Sequence, residues 1–270
     1  MGQDEFYIGW QAKAPQSYAQ WTRLVIPLIF VLVLVVAVLY PLNQQGFSNS
    51  TSELGKFTKI EGVIYKYPVP MLKVKIGENL YQNLLLVGFG KQDALPTLEY
   101  LEQQFGNLEA YRMVLNAEMV YYEGRTVLEV PFSQNKKIDF KKLDKPLPPQ
   151  KIESLGKVTL QGEIVDSKCY LGVMKPGFGK IHQSCGVRCI SGGIPPMLVT
   201  QNGKGASNYF ILIGAKGEPI GKDLLPFVGK AVKISGELEK VDEWMVLKIN
   251  PENVHFYAST EFESVYYTGN

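Results

Sequence analysis

The sequence predicts a mainly β protein with one N-terminal transmembrane helix and two tandem OB-like small β-barrels, the second carrying a Cys/His-containing insertion. Three observations predict this. An uncharged apolar run lies near the N-terminus, two strand-rich blocks share an internal spacing, and one segment is present in the second block only.

The apolar run is Leu24–Leu42, LVIPLIFVLVLVVAVLYPL. At ~1.5 Å per residue it spans roughly 28 Å, close to the hydrocarbon thickness of a bilayer. Pro27 is expected in the first helical turn, where a missing N–H costs little. Tyr18, Trp21 and Tyr40 fall where interfacial aromatics are expected. A cleaved signal peptide fits less well, because residues 1–23 are long and mixed in charge and no small-residue cleavage site follows. A core helix would need a polar face, and this run has none. Lys13 and Arg23 precede the run, and the next cation is Lys56. That bias predicts residues 1–23 in the cytoplasm and the rest outside it, anchored by a single pass of the membrane.

Residues 43–55 read as a polar tether, and 144–156, with the prolines of DKPLPPQ, as a stiff linker. They bound a first barrel domain at 56–143 and a second at 157–258, and 259–270 form a C-terminal tail. The blocks read as a diverged repeat. Gly62-Val63-Ile64, Pro70-Met71-Leu72 and Leu85-Leu86-Val87-Gly88 recur as Gly162-Glu163-Ile164, Pro196-Met197-Leu198 and Ile211-Leu212-Ile213-Gly214. Met71 to Gly88 and Met197 to Gly214 are both 17 positions. Each block then has a short helical segment, Leu95–Phe105 or Lys222–Val228, and an alternating hairpin with a turn at Glu123-Gly124 or Val241-Asp242-Glu243. About five short strands with one helix suit an OB-type barrel. An immunoglobulin-like sandwich is the alternative.

The repeat exposes the insertion. Gly62 to Met71 is nine positions, and Gly162 to Met197 is 35, so the second block carries 26 extra residues, within 166–196. All three cysteines of the chain fall there, with one of its two histidines. Their order is Cys169, His182, Cys185, Cys189. A loop inserted into a rigid scaffold is a usual seat of function. Three thiolates and an imidazole form a familiar tetrahedral zinc set, and soft ligands also suit copper. Met174 and Met197 offer thioethers. A helical turn from His182 to Cys189 would put three of the ligands on one face, with Cys169 arriving from a strand end. Asp166 reads as a turn residue or a support for a ligand. A structural disulfide with one buried thiol is the second reading, and covalent attachment of a cofactor or partner the third. The C-x2-C-H pattern of c-type haem is absent.

The net charge of +2 implies no field that would gather nucleic acid, so the membrane and a protein in a membrane complex are the expected partners. Gly88-Phe89-Gly90-Lys91 lacks the phosphate-loop pattern, and His255 reads as a surface or edge residue. No Ser-His-Asp or paired-carboxylate set stands out. An enzyme using a Cys185 thiolate activated by His182 ranks last.

The run GEIVDSKCYLGVMKPGFGKIHQSCGVRCISGGIPPMLV resembles bacterial membrane-anchored extracytoplasmic proteins of unassigned function, which carry a D-x-x-C…H-x-x-C-x-x-x-C motif on a small β-barrel. FYIGW…AP before the anchor is similar to their membrane-bound branch. The resemblance carries over Asp166, Cys169, His182, Cys185 and Cys189, and implies a periplasmic location on the inner (plasma) membrane and an association with membrane redox proteins. The expected function is thus a metal-binding or electron-transfer accessory subunit of a membrane redox assembly. The alternative is a structural or assembly factor that binds a protein partner through its barrels, with its cysteines in a disulfide.

Overall fold

A computed structural model describes residues 15–43, 50–122, 124–172, 174–201 and 207–257. Lys13, the FYIGW segment, residues 44–49 of the tether and the 259–270 tail lie outside the described residues. The chain divides into two compact units, Met1–Phe47 and Ser48–Asn270.

The first unit is a helix, α1 (Gln16–Leu42), whose Tyr18–Leu42 stretch is long and apolar enough to cross a membrane. It begins eight residues before the expected start, because Gln16–Arg23 holds no helix breaker and Pro15 is tolerated at the N-cap. Pro27 therefore lies inside the helix, not in its first turn, and Pro41 lies in the last turn. Pro27 lacks the N–H that would pair with the Arg23 carbonyl.

The second unit is two closed five-stranded barrels. The first is built from β2 (Thr58–Tyr65), β3 (Met71–Gly77), β4 (Leu80–Val87), β5 (Tyr111–Tyr122) and β6 (Arg125–Glu129), preceded by the short β1 (Thr51–Ser52). Helix α2 (Leu95–Phe105) lies between β4 and β5, and β7 (Asp139–Lys142) adds to β5. The second barrel begins with β8 (Ile152–Asp166), inside the expected linker. After two short helices come β9 (Pro196–Gln201), β10 (Ser207–Gly214), β11 (Ala231–Val241), β12 (Trp244–Ile249) and β13 (Val254–Phe256). Those helices are α3 (Ser167–Leu171) and α4 (Gln183–Ser191), and α5 (Gly221–Leu224) lies between β10 and β11.

Both barrels close in the same order. The first runs β5-β2-β3-β4-β6 and back to β5, and the second β11-β8-β9-β10-β12 and back to β11. In each, the third and fifth strands pair in parallel, the OB arrangement. The registers match residue for residue. Met71 pairs with Leu85 and Met197 with Ile211; Leu85 then pairs with Val127 and Ile211 with Val246. Tyr65 pairs with Met71 six positions on, and Val165 with Met197 thirty-two positions on, so the extra 26 residues enter between the first two strands.

Each barrel fills its interior with one set of side chains. Ile64, Leu72, Leu84, Leu86 and Met113 lie inside the first, and Ile164, Leu198, Leu212, Ile234 and Leu247 inside the second. The alternate residues form a third core. Met71, Leu85, Val87 and Val127 pack with their counterparts Met197, Ile211, Ile213 and Val246, together with Trp244. The barrels thus meet through equivalent faces, and LLLV and FILI are unbroken apolar runs because both sides of these strands are buried.

Candidate metal centre

The insertion leaves the barrel where Asp166 pairs with Pro196, and Ser167 N–H donates to the Pro195 carbonyl at the same neck. Asp166 caps α3: its Oδ1 accepts the Cys169 N–H at 2.8 Å. All five residues of α3 are buried, so the segment belongs to the core it enters.

Helix α4 starts after His182 and carries Cys185 and Cys189 one turn apart on one face. It ends in a Schellman turn, with Gly193 N–H bound to the Ile190 carbonyl and Ile194 N–H to that of Cys189. Gly192 must lack a side chain, because a Cβ there would lie 1.9 Å from the Lys91 carbonyl oxygen. The first barrel's loop after β4 rests at this point, with Asp93 N–H donating to the Gly192 carbonyl.

Two overlapping groups result. The sulfurs of Cys169, Cys185 and Cys189 lie within 4.8 Å of one another, and Asp166, Cys169 and His182 likewise bring ligand atoms within 4.8 Å. The three thiols are free; Cys169 and Cys189 are buried and Cys185 is half-buried. Cys169 Sγ and Cys189 Sγ are 4.0 Å apart. His182, also buried, faces Asp166 through Nε2···Oδ2 at 2.9 Å. The structure therefore joins the three cysteines into one group and sets His182 beside Cys169 with Asp166 as its partner. Met197 is in the core between the barrels and Met174 is half exposed.

The Lys91 ammonium lies 2.8 Å from Cys185 Sγ and 3.9 Å from Cys189 Sγ. Its hydrogen bond to Cys185 raises the Lys91 pKa, so it stays charged. The Cys169 thiol hydrogen-bonds to Cys189 and, with Lys91 nearby, brings Cys189 down to about 7 against its burial. The same bond, then burial and the Asp166 charge, push Cys169 upward. A bound cation would displace the thiol protons of these sulfurs.

Lys168 was not distinguishable in the sequence from a solvated lysine. Its buried ammonium donates to the carbonyls of Gly88 (2.9 Å) and Gly90 (2.7 Å) and to Glu129 Oε2 (2.8 Å), using all three N–H groups. It pins the Gly88-Phe89-Gly90 loop that presents Lys91. Glu163, buried on β8, accepts the Gly179 N–H and steadies the loop before His182. His255 lies exposed on β13, away from these groups.

The donor chemistry of the two groups can hold a metal ion. Comparison with known proteins gives no match, whether to a family model, a curated protein or a solved structure.

Proposed function

We propose that this is a membrane-anchored extracytoplasmic protein whose three-cysteine centre binds a metal ion as an accessory subunit of a membrane redox assembly. The observation that carries the metal reading is the convergence of three unbonded sulfurs on an insertion the first barrel lacks. Thiolates buried together are costly unless a cation neutralises them. The apolar length of α1 and the cation bias around it support the anchor and its orientation. An accessory role fits a chain whose distinctive chemistry sits where its two barrels meet.

The full chain, purified in detergent without oxygen, is expected to carry one metal ion. Three thiols should become reactive only after the metal is stripped, and Cys185→Ser should abolish retention. The measurement is metal content by mass spectrometry alongside a thiol titration. A reporter enzyme active only in an oxidising compartment should be active when fused after Asn270. Activity of a cytoplasm-only reporter at that position would reverse the topology.

The 4.0 Å approach of Cys169 and Cys189 favours a second reading, a dithiol that exchanges with a disulfide on a partner. The two thiols would give up two electrons and two protons to form one disulfide, and the partner disulfide would become two thiols. Isolation with one reactive thiol and no metal would select this reading.

A further inference from the structure

Resting on the metal reading, we propose that the centre is built for a soft monovalent cation, Cu(I), held by Cys169, Cys185 and Cys189 alone, with the Lys91 ammonium closing the fourth side. Two of the candidate ligands are already engaged. Asp166 Oδ1 holds the Cys169 N–H and its Oδ2 holds His182, so both oxygens have partners. His182 Nε2 is the other end of that bond, and His182 groups with Asp166 and Cys169 rather than with Cys185 and Cys189. The tetrahedral three-cysteine, one-histidine set expected for zinc is not assembled. What remains is a sulfur-only triad, a soft donor set that suits Cu(I) and lacks the fourth ligand of a structural zinc site.

The geometry of the triad agrees. A metal in the plane of three sulfurs, at ~2.3 Å from each, separates them by ~4.0 Å. Cys169 and Cys189 stand 4.0 Å apart without it.

Charge distinguishes the ions further. Lys91 Nζ stands beside Cys185 and Cys189, so it offsets part of the stronger pull that three thiolates exert on a divalent ion. Three thiolates around a monovalent ion leave two negative charges, and Lys91 cancels one of them. Its position is built rather than incidental. Lys168 fixes the carbonyls of Gly88 and Gly90, and Gly192 makes room for the Lys91 backbone. Lys91 is exposed and Cys185 half-buried, so this is also the side on which the ion enters, with Cys185 the first sulfur it meets.

The test loads the full chain, in detergent and without oxygen, with Cu(I) or Zn(II) separately, against a competing chelator, and records X-ray absorption at each metal edge. Cu(I) should be retained with three sulfur neighbours and no nitrogen, and Zn(II) should be lost to the chelator. Lys91→Met should weaken Cu(I) about 10- to 100-fold, as removal of a group supporting a metal ligand does, and narrow the preference over Zn(II), while Lys91→Arg should preserve both. Zinc held by three sulfurs and a nitrogen overturns this proposal and leaves the metal reading standing. Retention of neither metal overturns both.

Discussion

Replacing Lys168 with methionine is expected to cost about 3–5 kcal/mol of stability, the usual result of stripping one partner from a buried ion pair. Glu129 is left with its carboxylate buried and without its cation. Gly88 and Gly90 lose the donor that holds their carbonyls. Burial already raises the Glu129 pKa, against the opposing pull of Lys168, and the charge of Glu118 across the strand pair adds to the rise. Without Lys168 it should rise further. A carboxyl whose folded pKa lies above its unfolded one favours the folded state at low pH, and that advantage is lost as pH climbs through the folded value. The deficit of the variant should therefore be largest at neutral pH and shrink as the solution is acidified toward the carboxylate range. Chemical denaturation of the full chain at several pH values checks the sign. A deficit that grows on acidification would show that Glu129 is not the group left uncompensated.

Trp244→Ala is the second large effect expected, about 3–5 kcal/mol, as for other buried aromatics cut to alanine. Trp244 opens β12 and is almost wholly buried in the core between the barrels. Its Nε1 donates to the Asn83 carbonyl at 2.9 Å, and the Arg125 guanidinium lies 5.2 Å from its ring. Around it the β11–β12 turn is bound to the first barrel. Asp242 takes Lys73 and Asn83, Glu243 takes the Asn83 N–H, and Arg125 donates to the Glu243 carbonyl. The variant loses packing area and leaves these groups facing a void. Scanning calorimetry of the full chain should show one transition for the native protein, from the shared core, and two for the variant, one for each barrel. One intact transition with little shift would mean that the barrels are not held together here.

Much of this architecture can be read from local pattern. Leu95–Phe105 is a helix with the expected bounds, because Pro96 suits its first turn and Gly106 ends it at positive φ. Matching spacings predicted equivalent strands, and the registers of Met71 and Met197 agree. Cys185 and Cys189 share a helical face as their spacing requires. What local pattern did not give is whatever depends on one barrel touching the other. Lys91 follows Gly88-Phe89-Gly90, a loop that lacks the phosphate-loop pattern, and it reaches the cysteines because the first barrel packs on α4. Lys168 drew no notice because a lysine between Asp166 and Cys169 is ordinary on a surface, and nothing nearby in sequence marks Glu129 as its partner. The unbroken runs Leu84–Val87 and Phe210–Ile213 carried the missing signal, since a half-exposed strand would have alternated. Spacing sets His182 among the candidate ligands, and the contact of its ring with Asp166 is a feature that spacing does not reveal.

The shared apolar face also governs how the chain must be made. The first barrel can close once β6 has emerged, yet Met71, Leu85, Val87 and Val127 then have nothing to cover them. Their partners Met197, Ile211 and Val246 follow about 70, 80 and 120 residues after Glu129. At ordinary rates of synthesis that interval is roughly 5–25 s, long compared with the closure of a small domain. Throughout it the nascent chain displays a sticky sheet surface suited to self-association. Secretion of the first half alone should yield aggregates, and a holding chaperone, or the second half supplied as a separate polypeptide, should rescue it.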